Sequence, residues 1–453
     1  MSDHIRHGHD RSLFLPGETS YGHHQIELAC EACHTESYTD KDAMQVACES
    51  CHLDQLKLAK DDHPKTKFTD PRNAARVARL DARYCVTCHV EHRPDITLAM
   101  GLTQPVDYCF ICHEQIAEDR PSHAGMAFDT CASAGCHNFH DNRALYEDFL
   151  LKHLDEPVVI KTAFDKPGAN LLEVAPVMGK YPTDAYPLEQ RDATNIDVAD
   201  KFHEDEIIDE WLMSAHSESG VTCSACHHDS QQAWLAKPDH SVCQTCHEVE
   251  VGSFLLGKHG MRLDIERLNK NLSPMSPKHA RLNMLETAHS QELSCNSCHG
   301  THRYDVEFAA TDGCLACHDD NHSRSFKSSP HFVADAAPDA DWQGLTCADC
   351  HMPMTEKEFF WGEVIWTYAN HNQSENFLPN EKMLRPVCMQ CHGLQFAIDS
   401  LADRDLIANN FNGRPTTKIQ SLELARARLE LAAQAKAAAD KAAAEAAALE
   451  TAQ

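Results

Sequence analysis

One pattern limits what this chain can become. C-x-x-C-H occurs ten times in 453 residues, starting at Cys30, Cys48, Cys85, Cys109, Cys223, Cys243, Cys295, Cys314, Cys347 and Cys388. An eleventh copy is stretched to CASAGCH, from Cys131 to His137. The second cysteines are Cys33, Cys51, Cys88, Cys112, Cys136, Cys226, Cys246, Cys298, Cys317, Cys350 and Cys391. The histidines that follow them are His34, His52, His89, His113, His137, His227, His247, His299, His318, His351 and His392. The motifs use all 22 cysteines, so none is left for a disulfide framework or a nucleophile.

C-x-x-C-H is the attachment signature of c-type haem. Two thiols add to the porphyrin vinyl groups, and a short helical loop spaces them. The next histidine then lies under the ring and ligates the iron. Zinc ribbons also use C-x2-C pairs, but two pairs share one metal and no histidine need follow each. Eleven histidines in eleven slots, in a chain with 32 histidines in all, are not chance. A disulfide framework would pair distant cysteines rather than hold each inside a tight motif. Eleven covalently bound haem c groups are therefore expected.

At about 41 residues per motif, 453 residues over eleven, the protein is too small to wrap each haem separately. The expected fold is mainly α with much irregular loop, little β, and a core made largely of porphyrin. A hydrophobic content of 42% and a mean hydropathy of −0.47 agree. The formal charge of −29 disfavours nucleic acid and favours basic redox partners, although a merely solvated acidic surface fits as well. Haem is attached to these motifs outside the cytoplasm, so a periplasmic or extracellular location is expected. The first residues, MSDHIRHGHDRSLFLPGETS, hold no apolar signal region, so a leader has been removed or the start lies upstream. No stretch approaches the roughly 18 apolar residues of a membrane span.

The motifs divide the chain. A five-haem module is expected over 1–155, a linker over 156–205, a six-haem module over 206–420 and an Ala-rich helix over 421–453. The linker region holds prolines at 157, 167, 176, 182 and 187. EPVVIKTAF, near Val158, is the best strand candidate. ALYEDFLLKH from Ala144, HEDEIIDEWLMSAH from His203 and the tail, rich in good helix formers, read as helices. The tail is either a solvated helix or a partner helix.

The C-terminal half, from about Trp211 to Ala425, resembles the superfamily of pentahaem nitrite reductase, octahaem hydroxylamine oxidoreductase and octahaem tetrathionate reductase. WLMSAHSESGVTCSACHH, CHDDNHSRSFKSSPHF, GLTCADCHMP and NHNQSENFLPNEKMLRPVCMQCHGLQFAID carry the likeness. The N-terminal half, with CHVEHRPD and GCHNFH, resembles small cytochromes of the c3 and c7 kind, some of whose haems use the stretched spacing. The first resemblance implies that the haem at Cys243, Cys246 and His247 is the open one. His322 would lie above it as catalytic acid/base, or else serve as a plain sixth ligand. Asparagine at 321 stands where those enzymes carry an acid, with Asp319 and Asp320 nearby. No tyrosine follows His392, which argues against the crosslinked, oxidative hydroxylamine chemistry.

Twenty-one histidines lie outside the motifs, enough for a second axial ligand at every iron. His92, His140 and His302 lie three residues after a motif histidine. His216, His289 and His331 precede motifs within the superfamily-like segments, and His371 lies upstream of the last. His24, His63, His123 and His153 are candidates on pattern. His4, His7 and His9 read as a flexible arm. Two functions stay open: an electron conduit, in versions that include an oligomer or filament, and a reductase of a small nitrogen or sulfur oxyanion (nitrite, hydroxylamine, tetrathionate or sulfite). Whether the chain is an enzyme turns on whether any iron keeps a free side.

Overall fold

Most of the described motifs fold as a single helical turn, while that at Cys48 lies inside a longer helix, Lys41–Ala59. The N–H groups of His34, His89, His113, His247, His318 and His392 each donate to the carbonyl of the first cysteine of their motif, at 2.8–3.0 Å. One turn places residues three apart on one side, which brings both thiols to the same face. At two motifs the Thr or Ser that precedes the first cysteine caps the turn. Thr346 accepts from the Asp349 N–H, and the Asp349 carboxylate accepts from the Thr346 N–H in return, a reciprocal capping box. Ser294 and Ser297 build the same box at Cys295–His299.

The computed structural model describes residues 14–36, 39–59, 63–98, 101–120, 123–129, 131, 139–140, 147–180, 189–194, 196–198, 204–228, 233–268, 272–274, 276–332, 344–373 and 383–451. The fold is mainly α, in short helices joined by irregular loop. Helices run over Glu147–Lys152 and Asp205–Leu212, inside two of the expected segments, and Ser421–Thr451 forms the tail helix. Among the described residues the sheet is one antiparallel hairpin, β1 (Met354–Phe359) and β2 (Val364–Ala369), which pairs Met354 with Ala369 and Phe359 with Val364. The strand expected near Val158 does not form: Val159 makes one isolated bridge, to His392. EPVVIKTAF has β-branched residues but lacks a neighbouring strand to complete a ladder. No helix among the described residues is long and apolar enough to cross a membrane.

The chain forms two compact units, and each is discontinuous. The first comprises Met1–Ser37, Ala163–Glu375 and Ala408–Asn412. It therefore holds the motifs at Cys30, Cys223, Cys243, Cys295, Cys314 and Cys347. One apolar cluster in it joins Val174, Val249 and the fully buried Trp366, with Phe359, Val364 and Tyr368 packed alongside. Asn170 braces the hairpin by donating to the Ile365 carbonyl and accepting from the Thr367 N–H, both at 2.8 Å. At the hairpin tip Phe360, Trp361 and Gly362 have φ of 52°, 58° and 91°. Two bulky side chains in the left-handed region are uncommon.

The second unit comprises Tyr38–Thr162, Asn376–Ile407 and Gly413–Gln453, and holds the motifs at Cys48, Cys85, Cys109, Cys131 and Cys388. Its apolar cluster gathers Leu150, Leu384, Leu394, Ala397, Ile398, Leu422 and Ala425. The tail helix is therefore seated by its first two turns. Residues 429–445 are exposed.

Candidate haem sites

Seven motif histidines face a second imidazole. Ring centroids lie 5.9 Å apart for His113 and His63, 6.2 Å for His89 and His140, and 6.0 Å for His247 and His216. The separations are 6.0 Å for His227 and His302, 6.1 Å for His318 and His259, 6.2 Å for His299 and His371, and 6.0 Å for His351 and His322. Two imidazoles that share one ion, each bonded at about 2 Å, hold their centroids roughly 6 Å apart. The spread of seven values over 0.3 Å is narrow, whereas the interplanar angles run from 17° to 89°. Contact packing would vary both.

Hydrogen bonds orient several of these rings. Nδ1 of His63 is 2.7 Å from the Phe139 carbonyl, that of His227 is 2.7 Å from Leu235, and that of His371 is 2.8 Å from Ala369. Nδ1 of His392 is likewise 2.9 Å from the Val158 carbonyl. A proton held on Nδ1 by a carbonyl leaves Nε2 as the ligating atom. Burial pushes His247, His259 and His299 down to about 4, and lowers His216, His302, His318 and His371 too. The neutral imidazole is the form that ligates metal.

His322 does not stand beside His247; His216 does. His322 faces His351, and its carbonyl accepts from the Asn410 amide at 3.1 Å. His259 was not singled out by the sequence reading, yet it faces His318. The signal for it is G-K-H-G: a Cβ on Gly257 would sit 2.8 Å from the His371 carbonyl oxygen, and one on Gly260 would sit 2.4 Å from that of Phe254. Glycines on both sides of a histidine mark a backbone that must approach its neighbours closely.

Other candidates lie elsewhere. His24 turns Nε2 to the His279 carbonyl, 2.8 Å away. His153 sets Nδ1 2.5 Å from Glu156. His331 packs edge-on to Phe411, and Ser276 donates to the His289 carbonyl. His92 has φ of 63°, close to the 65° of His302, which occupies the same place after its own motif. His123 lies near His113. Of the motif histidines, His34 is exposed, and Nδ1 of His52 is 2.9 Å from the Gln55 side chain. Cys136 and His137, together with His4, His7 and His9, lie outside the described residues.

The cysteines order the motifs into rows. The thiols of Cys48 and Cys85, Cys109 and Cys131, Cys243 and Cys295, and Cys314 and Cys347 lie close enough to shift each other's titration. Cys88 with Cys112, Cys226 with Cys246, and Cys298 with Cys314 are near enough to perturb each other's charge. One unit thus holds the row 48–85–109–131, and the other holds 223–243–295–314–347. No two described cysteines are joined in a disulfide. No cluster of three or more His, Cys, Asp or Glu side chains suited to a metal ion occurs among the described residues.

Residues 22–114 and 270–363 match the family model of cytochrome c3. Seven of the C-x-x-C-H motifs lie within the two matched regions. The match supports a multihaem c-type cytochrome with covalently bound haem c and a role in electron transfer. No curated protein and no solved structure matches the chain.

The side chains fit that group. Val46, Leu53, Val90 and Phe110 expose apolar surface next to motif residues, where a porphyrin face would cover it. Thioether-forming thiols on one face and an imidazole pair about 6 Å apart are the donor set of a six-coordinate haem c.

Proposed function

We propose that the protein is an undecahaem electron conduit that passes electrons between redox partner proteins outside the cytoplasm. The seven imidazole pairs carry this reading. An iron held between two histidines has no side free for substrate, so it exchanges electrons and does no bond chemistry. Each of the seven pairs joins a motif histidine to one outside the motifs, and the thiol contacts string consecutive motifs into rows. Close rows of low-spin haems favour transfer over storage at isolated centres. In this reading His63, His140, His216, His259, His302, His322 and His371 are sixth ligands. The reductase reading required an open haem at Cys243 and His247, and His216 now stands opposite His247. The acidic surface suits basic partners.

The test is a spectroscopic and kinetic pair. As-isolated ferric protein should contain eleven haems by intact mass and pyridine haemochrome, with at least seven giving low-spin signals. Nitrite, hydroxylamine, tetrathionate and sulfite should not be turned over with reduced viologen. Turnover of any of them, abolished by His322→Ala, would reinstate the reductase.

A further inference from the structure

The tip of hairpin β1–β2 carries surface that haem does not account for. Trp361 is fully exposed, at 104%, and Phe360 is 58% exposed. Exposed apolar residues such as Val46, Val90 and Phe110 lie within or beside motifs. The tip instead stands one six-residue strand beyond the motif at Cys347, about 20 Å of extended chain. The part of β2 that leads away from the tip is fixed, because Trp366 is fully buried and Asn170 clamps Ile365 and Thr367. The aromatic pair is therefore held out rigidly.

Its surroundings are acidic, three carboxylates to one ammonium. Glu356, Glu358 and Glu363 are exposed around it, and the Glu358 carboxylate lies beside Gly362 in the turn. The neighbouring cation, Lys357, is folded over the Phe359 ring.

We propose that this tip is a docking knob for a small basic redox protein, with Trp361 as the apolar anchor and the three glutamates as its polar rim. The identity of the partner rests on the conduit reading; the presence of a docking surface rests on the hairpin. Tryptophan at the centre of a polar ring is the usual form of an interface hot spot. A carboxylate rim selects a partner with lysines around an apolar recess, and it speeds and orients encounter. A second copy of a chain with a net charge of −29 would bring like charge to the same place. Three carboxylates oppose insertion into an anionic lipid surface.

The experiment uses the full-length holoprotein and a basic monohaem cytochrome c as probe, by calorimetric titration at low and moderate salt. Wild-type binding should weaken with salt. Trp361→Ala, and separately Glu356→Gln/Glu358→Gln/Glu363→Gln, should each weaken it about tenfold or more. Phe360→Asn/Trp361→Gly removes both rings from left-handed positions, so it should bind as poorly while its melting point holds or rises. That outcome separates lost docking from lost folding. Affinities within twofold of wild type, or no salt-sensitive binding of the probe, would overturn the proposal. So would a wild-type dimer, or binding to phosphatidylglycerol vesicles, that Trp361→Ala abolishes. Spin state and complete reduction of the haems, measured on the same samples, report on the conduit separately from docking.

Discussion

Gly260 offers a worked test of how His259 is held. A Cβ at this position would lie 2.4 Å from the Phe254 carbonyl oxygen and 2.7 Å from the Phe254 ring, where ordinary contact begins at 3.4 Å. The shortfall is 1.0 Å against a backbone atom, and that oxygen already accepts from the Gly257 N–H at 3.0 Å. Gly260→Ala must therefore move the segment that carries His259. Overpacking of this kind costs about 1–3 kcal/mol. For a domain of this size each kcal/mol lowers the melting point by roughly 2–4 °C. The 6.1 Å separation of His259 and His318 tolerates no such shift if both nitrogens are bonded to one iron. Gly260→Ala should therefore melt lower by circular dichroism and show one new high-spin signal by electron paramagnetic resonance. Gly252→Ala is the control: it lies within helix Glu248–Leu256, its Cβ would meet nothing within 4 Å, and it should gain about 0.5–1 kcal/mol. A Gly260→Ala protein that melts with wild type and stays low-spin would refute both the packing argument and the role given to His259.

Three further outcomes follow from the same geometry. His216→Ala and His322→Ala should each create one high-spin haem, and the double variant two, by quantitative paramagnetic resonance; a double variant that shows only one would mean the two residues serve the same iron. Leu394→Ala, at a fully buried position, should destabilise the second unit by about 2–5 kcal/mol in denaturant titration, while the haem spectra of the first unit hold. Thr346→Ala removes one cap of the Cys347 turn and should cost about 1 kcal/mol, with Thr346→Ser recovering most of it.

Sequence spacing made the motif residues legible because attachment chemistry is local: two thiols and an imidazole must sit within one helical turn. It also pointed to His63, His140, His216, His302 and His371, which the fold brings to motif histidines. Pairing was harder to read, since it depends on which loops meet. His322, which its family-like segment put above the Cys243 motif, faces His351 for that reason. His259 escaped notice because it sits twelve residues past His247 with no motif beside it. The hairpin was missed although VIWTYA is rich in strand formers; acidic MTEKEF beside it reads as loop until its partner is known.

The interleaving of the two units has a consequence for how the chain matures. A polypeptide delivered from its N-terminal end presents the motif at Cys30 long before Ala163–Glu375, which completes its unit. The row from Cys48 to Cys131 likewise emerges before Leu384, Leu394 and Leu422, which close its apolar cluster. Neither unit can reach its final packing until almost all of the chain has arrived. The early motifs therefore lack the packing partners of their own unit in the meantime. The order of the sequence thus leaves both units incomplete until their C-terminal segments are present.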